Sequence, residues 1–253
     1  MADDRLQIAL DLARQAGRLA QQMRDEGGGL EARIKGHLDL VTAADTAVET
    51  LVRDGIRQRD PGAAILGEEG GLQGDGQRTW IVDPIDGTTN FYRGTPNWAI
   101  SIAHFDGTAL TDGVIHAPDL GLTANASHGK GSQLNGAAIV FGDTLAEIPI
   151  VALGHSPRGC LPSYVQRIAT LRDHDIEHRH YGSATICLLG VLAGWFDAFH
   201  EPGLNIWDAA AGLLLVEEAG GRVHHDAFAD FLQGPSSVTA VNRALALRTE
   251  IWG

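Results

Sequence analysis

The sequence predicts two unlike halves, α+β over residues 1–145 and α/β over residues 146–253, joined at a soft boundary near 142–148. Three observations carry this expectation. The chain opens with apolar residues at helical spacing, and its middle holds two apolar runs joined at Asp106-Gly107, a strong hairpin signal. After Pro149, short apolar runs alternate with helical stretches, the pattern of helices laid on a sheet.

In order, Leu6, Ala9, Leu10, Ala13, Ala16, Ala20 and Met23 share one face of a helix over 3–24, which Gly27-Gly28-Gly29 ends. Val48, Leu51, Val52 and Ile56 predict a second helix over 42–58, stopped by Asp60-Pro61-Gly62. Runs at 63–66 and 79–82 read as buried strands, and 98–105 with 109–116 as the hairpin. The second half reads as a strand at 149–153, a helix at 161–172, a strand at 176–180 and a helix at 183–193. A strand at 195–200, a helix at 207–219, short strands and a helix near 241–252 complete it.

The chain has 253 residues and a net charge of −13, which disfavours nucleic acid or an anionic membrane as partner. No stretch approaches the ~18 apolar residues of a spanning helix, and the acidic start lacks the basic region of a secretory signal. Cys160 and Cys187 are too few for a disulfide framework. A cytoplasmic protein is the expectation.

Four features hold acids where folding alone does not ask for them. Glu68 and Glu69 follow a strand in Leu66-Gly67-Glu68-Glu69-Gly70, as a solvated loop also would. In Trp80-Ile81-Val82-Asp83-Pro84-Ile85-Asp86-Gly87-Thr88-Thr89-Asn90-Phe91, an apolar strand runs into two acids stiffened by Pro84. Gly87 permits close approach, and the Thr pair suits a helix N-terminus with free amides for an anion. Asp208 enters the first turn of an apolar helix, where a simple N-cap is the alternative. Asp45 lies three residues after Thr42, in the segment from Lys35 through Asp39 to Asp45 that heads the second helix. Glu68, Asp83, Asp86 and Asp208 form an oxygen-only set suited to hard cations, magnesium above all. Bound cations would also reconcile an acidic chain with an anionic substrate. His174, His178, His180, His224 and His225 read as surface or strand residues, and Gly129 to Gly136 as a turn between strands.

Trp80 to Phe91 resembles, position for position, the metal-binding signature of the inositol monophosphatase family. Trp207-Asp208 with Glu218-Ala219-Gly220-Gly221 resembles its C-terminal signature, and Gly67-Glu68-Glu69 with Asp39 to Asp45 its N-terminal motifs. The resemblance implies a layered αβαβα sandwich, a homodimer, lithium sensitivity and hydrolysis of a small phosphate monoester such as inositol 1-phosphate. It implies two to three Mg2+ ions. Glu68, Asp83 and the carbonyl of Ile85 would hold the first, and Asp83, Asp86 and Asp208 the second. Glu68 with a Thr88–Asp45 pair would activate water, and the amides of Gly87 and Thr88 would cradle phosphate. The leaving alcohol would meet Asp86, Gly182, Ser183, Ala184 and Glu201, the last of which also reads as a solvated acid after a strand.

The chain departs from the family at Ser132-Gln133, where a small residue and an aromatic are usual, while His128 and Tyr92-Arg93 leave substrate preference open. Histidinol phosphate, a nucleotide 3′-phosphate and fructose bisphosphate are rival substrates on such a fold. Some bacterial relatives also bind transcription machinery, so an interaction protein is an alternative of another class. A cation-buffering protein is a third.

Overall fold

The structure, a computed structural model, describes residues 2–27, 32–36, 39–155 and 159–247. Helix α1 (Ala2–Asp25) precedes a hairpin of β1 (Ala32–Gly36) and β2 (Asp39–Thr42), then α2 (Ala43–Arg59). The strands β3 (Ala64–Gly67), β4 (Gly71–Gln73) and β5 (Thr79–Asp86) follow, with the short helix α3 (Thr88–Arg93). Then come β6 (Ala99–Phe105), β7 (Leu110–Ala117), β8 (Leu122–Ser127), β9 (Ser132–Leu134) and β10 (Ala137–Ile139). Together β3 to β10 make an eight-stranded mixed sheet in the order β10-β9-β8-β7-β6-β5-β3-β4.

The remaining elements are β11 (Ile150–Leu153), α4 (Leu161–Asp173), β12 (Glu177–Arg179), α5 (Ala184–Leu192) and β13 (Ala198–Leu204). After them come α6 (Ile206–Glu218), β14 (Arg222–His224), α7 (Phe228–Phe231) and β15 (Ser236–Val241). Their five strands form a second sheet, β12-β11-β13-β15-β14, in which β12, β11 and β13 run parallel.

Strand periodicity explains the layering. In β5, Trp80 and Val82 face the core built with α1 and α2, whereas Ile81 faces the opposite core, built with α5 and α6. β6 divides in the same way, with Ile100 and Ile102 on one side and Ala99, Ala103 and Phe105 on the other. Both strands are buried on two faces, so they read as continuous apolar runs. On the far side, Phe199, Val238 and Ala240 pack against the α5–α6 core, while Val151 and Leu153 pack toward Leu171 and Ile168 of α4. The layers are thus α, β, α, β, α. The middle pair is closely fitted: a methyl group at Gly212 of α6 would lie 2.5 Å from Leu188 Cβ of α5.

Several expectations need correction. The segment Gly129 to Gly136 contains β9, hidden because Ser132-Gln133-Leu134 is short and polar. The strand at 195–200 is β13, which starts later and runs on to Leu204 across a register shift between Glu201 and Leu204. Near the end, β15 continues to Val241 and a 3-10 turn spans Leu245–Leu247, where a helix over 241–252 was expected. Residues 248–252 of that stretch, Gly28 and Gly29 of the first stop, and the side chains of Lys35 and Asp39 lie outside the described residues.

Candidate metal and phosphate site

β5 delivers the first acids. Its ladder with β6 is interrupted between Asp83 and Asp86, at Pro84, which has no N–H to offer. Asp83 is 1% exposed; its Oδ1 accepts a hydrogen bond from Ile85 N at 3.0 Å. Asp83 Oδ2 is buried and has no hydrogen-bond partner among the described residues. Asp86 is drawn toward α5, accepting from Ser183 Oγ at 2.8 Å and from Thr185 N at 2.5 Å. Asp208 comes from the first turn of α6, so its simple N-cap reading is corrected: Asn205 is the cap, and Asn205 N donates to Asp208 Oδ2 at 3.2 Å.

One carboxylate oxygen from each of Asp83, Asp86 and Asp208 lies within 4.8 Å of the others. Burial and mutual repulsion act on this group together. Burial, the neighbouring Asp86 and Glu201 push Asp208 up to about 8. Burial, with Glu68, Asp86 and Asp208 nearby, carries Asp83 well above the usual carboxylate range. Burial also raises Asp86, against the hydrogen bonds that hold its charge. An unpartnered oxygen among crowded carboxylates suits a hard divalent cation, which supplies the missing charge and accepts oxygen donors alone. The residues present fit a magnesium-type ion.

A second constellation adjoins the first. Asp45 is fully buried at the third position of α2; Thr42 N and Thr42 Oγ1 donate to its Oδ2 at 2.8 and 2.5 Å. Its Oδ1 accepts from Thr88 Oγ1 at 3.0 Å, and that hydroxyl also lies 3.2 Å from the Ile85 carbonyl. Burial raises the Asp45 pKa, opposed by these hydrogen bonds. Gly87 caps α3 with φ +89°, and a Cβ there would meet Asn97 O at 2.9 Å and Ser183 Cβ at 3.0 Å. Both conformation and space require glycine.

Glu68 follows β3 on the turn into β4, near enough that its charge raises the pKa of Asp83, although it lies outside the triad. Across the site, Ser183 caps α5 by accepting from Ile186 N at 3.1 Å, and Gly182 precedes it with φ +68°. Ala184 opens the helix. Glu201 is 9% exposed within β13, and a methyl on Gly154 would collide with its carboxylate. The reading of Glu201 as a solvated acid beyond a strand is therefore corrected: the strand continues through it, and pairing resumes at Leu204. Asn90 joins the two banks, its Nδ2 donating to Asn97 O at 2.7 Å and Tyr181 O at 2.8 Å.

Sequence reasoning missed Asn90, Thr185, Glu49 and Arg53 as parts of this region. Glu49 and Arg53 share the buried face of α2 with Val48, Val52 and Ile56, and two charges on an apolar stripe were the available signal. Glu218, in the C-terminal signature, serves elsewhere: its carboxylate accepts from Gly129 N at 2.7 Å and Gly131 N at 2.8 Å.

An oxygen-only acid cluster from the end of β5 and the start of α6, beside a glycine-capped turn and between two sheets, defines a layered protein with a site for a hard cation. The description "Inositol monophosphatase family" matches residues 1–248, and the chain belongs to that family. It is 38% identical over 227 residues to the Nus factor SuhB of Pseudomonas aeruginosa, covering 86% of this chain and 84% of that protein. It is 34% identical over 249 residues to an inositol-1-monophosphatase of Mesorhizobium japonicum, covering 95% and 94%. The solved structure of a Thermotoga maritima IMPase superposes with a TM-score of 0.84 at 32% identity, covering 98% of this chain and 95% of that one.

Proposed function

We propose that the chain is a magnesium-dependent phosphomonoesterase whose substrate is a small polyol phosphate, inositol 1-phosphate foremost. The observation that carries this reading is the unpartnered Asp83 Oδ2 among crowded acids, linked through Ile85 to the Thr88–Asp45 pair. Glu68, Asp83, the Ile85 carbonyl, Asp86 and Asp208 would hold two to three Mg2+ ions. When bound, such ions neutralise phosphate charge and favour ionisation of the attacking water. Thr88 gives its hydroxyl proton to a hydrogen bond with Asp45, which leaves its oxygen lone pairs to orient that water. Asp45, buried and raised in pKa, is suited to accept a proton relayed through Thr88. Gly87 and Thr88 amides face the phosphate, while Gly182, Ser183, Ala184 and Glu201 receive the alcohol, with Glu201 accepting from ring hydroxyls.

The test is phosphate release from inositol 1-phosphate, histidinol phosphate, fructose 1,6-bisphosphate and a nucleotide 3′,5′-bisphosphate, each with magnesium and with chelator. Magnesium-dependent preference for inositol 1-phosphate is expected. Undiminished release in chelator would sink the metal role.

A second reading draws on the relatives named Nus factor: contact with transcription machinery through protein surfaces. Asp83→Asn separates the two, since an interaction survives the loss of a buried carboxylate and hydrolysis does not.

A further inference from the structure

Behind the turn that carries Glu68 and Glu69 sits a buried ion pair. Glu49 and Arg53, one turn apart on α2, are 3% and 5% exposed. Arg53 Nε donates to Glu49 Oε1 at 2.6 Å. Further hydrogen bonds from the pair go to the turn and its two strands. Glu49 Oε2 accepts from Glu69 N and Glu49 Oε1 from Gly70 N, each at 2.8 Å. Arg53 Nη1 reaches the Ile65 carbonyl of β3 at 3.3 Å, and Nη2 the Gly71 carbonyl of β4 at 2.6 Å.

We propose that Glu49 and Arg53 are positioning residues for the cation site, a clamp that presets the Glu68–Glu69 turn before any cation arrives. The inference rests on Glu68 serving as a cation ligand. A locating role suits this pair better than a stabilising one. A buried ion pair gains little stability over apolar residues of the same volume, because desolvation offsets the attraction. Its directional bonds, however, fix the strand ends and the two amides that follow Glu68. Two glycines record the fit. A Cβ at Gly67 would lie 2.7 Å from both Arg53 Nη2 and Glu49 Oε1, and a Cβ at Gly70 would lie 2.8 Å from Glu49 Oε1. Neither glycine has a positive φ, so the requirement comes from the clamp and not from backbone conformation.

The clamp carries no net charge, so it organises the turn without adding to the repulsion among the site acids. Cation affinity and turnover should therefore separate. In Glu49→Gln and Arg53→Met, the magnesium concentration for half-maximal activity should rise about tenfold, the scale of losses when groups supporting a metal ligand are removed. Turnover at saturating magnesium should stay within about twofold, because the reacting groups remain. Arg53→Lys should recover only part of the affinity, since an ammonium cannot span Glu49 and both carbonyls. Gly70→Ala probes the clamp from the exposed side of the turn and guards against loss of folding in the buried variants.

Binding of manganese(II) alone, followed by electron paramagnetic resonance on purified folded protein, reads the site without turnover. Weaker manganese binding in Gly70→Ala and Glu49→Gln, with partial recovery in Arg53→Lys relative to Arg53→Met, is expected. Equal manganese affinity in all folded variants would overturn the clamp while leaving the phosphatase reading intact. A wild-type protein that binds no manganese and gains no activity from magnesium would remove the phosphatase reading, and the clamp with it.

Discussion

Helices α2 and α6 begin alike, with a polar cap followed three positions later by an aspartate that reaches back to the cap's amide. In α2 the aspartate collects donors: Thr42 N, Thr42 Oγ1 and Thr88 Oγ1 all bond to Asp45. In α6 the aspartate keeps Asn205 N at 3.2 Å but otherwise confronts other acids, and its pKa climbs to about 8. The same capping device therefore produces two kinds of carboxylate. What separates them is the company each meets across the fold, so local sequence alone cannot assign their roles. In the proposed function, Asp45 handles a proton and Asp208 shares a cation.

The sharpest way to break this contrast is Asp208→Asn. Turnover should fall by about three orders of magnitude or more, as for loss of a group that binds a catalytic ion. The cation-free protein should melt a few degrees higher, because about 1–2 kcal/mol of repulsion and desolvation is relieved. A lower melting temperature would show that Asp208 is satisfied without a cation. Asp45→Asn should do the reverse to stability. The cation-free protein should lose about 1 kcal/mol through a weakened capping box, and turnover should drop about a hundredfold with cation affinity preserved. Loss of cation binding in Asp45→Asn would merge the two roles.

A pH series sharpens the same point with groups of opposite sign. His104 is buried between sheet strands and lowered to about 4, mainly by burial, which outweighs the pull of Asp112 and Asp60. His200 is likewise lowered to about 4 by burial, with its Nδ1 2.8 Å from Thr239 Oγ1. Because the unfolded chain binds these protons more readily, stability is full above pH ~6.5 and falls as pH drops toward ~4. The loss amounts to about 3 kcal/mol per histidine by that point, measured as urea midpoint in saturating magnesium. A stability profile flat from pH 7 to 4.5 would count against neutral buried histidines. The smallest expected effect is inhibition of turnover, severalfold at tens of millimolar lithium, as a monovalent ion competes at the Asp86–Asp208 side. Lithium inhibition unchanged in Asp208→Glu would place that competition elsewhere.

Legibility in the sequence followed the range of the contacts. Asp83, Pro84, Asp86, Gly87 and Thr88 could be read together because one strand-and-turn holds them all. The pairing of Asp83 on β5 with Asp208 on α6 is long-range and came through shared oxygen chemistry and family resemblance, not periodicity. Glu49 and Arg53 were invisible as a clamp because an acid–base pair four residues apart is commonplace on exposed helices. The polar strand β9 lacked an apolar run to announce it. β1 and β2 were hidden in the same way: they are brief, and they pair chiefly with each other.

Because Ser183 and Asp208 stand at the starts of α5 and α6, the spacing of these helices is also the spacing of the site. The Gly212–Leu188 contact thus acts as a gauge block inside the molecule. A Gly212→Ala change, one turn along α6 from Asp208 and conservative on paper, would disturb that spacing without touching an acid. Variation in this chain is therefore better judged by the tolerances between its layers than by proximity to the acids.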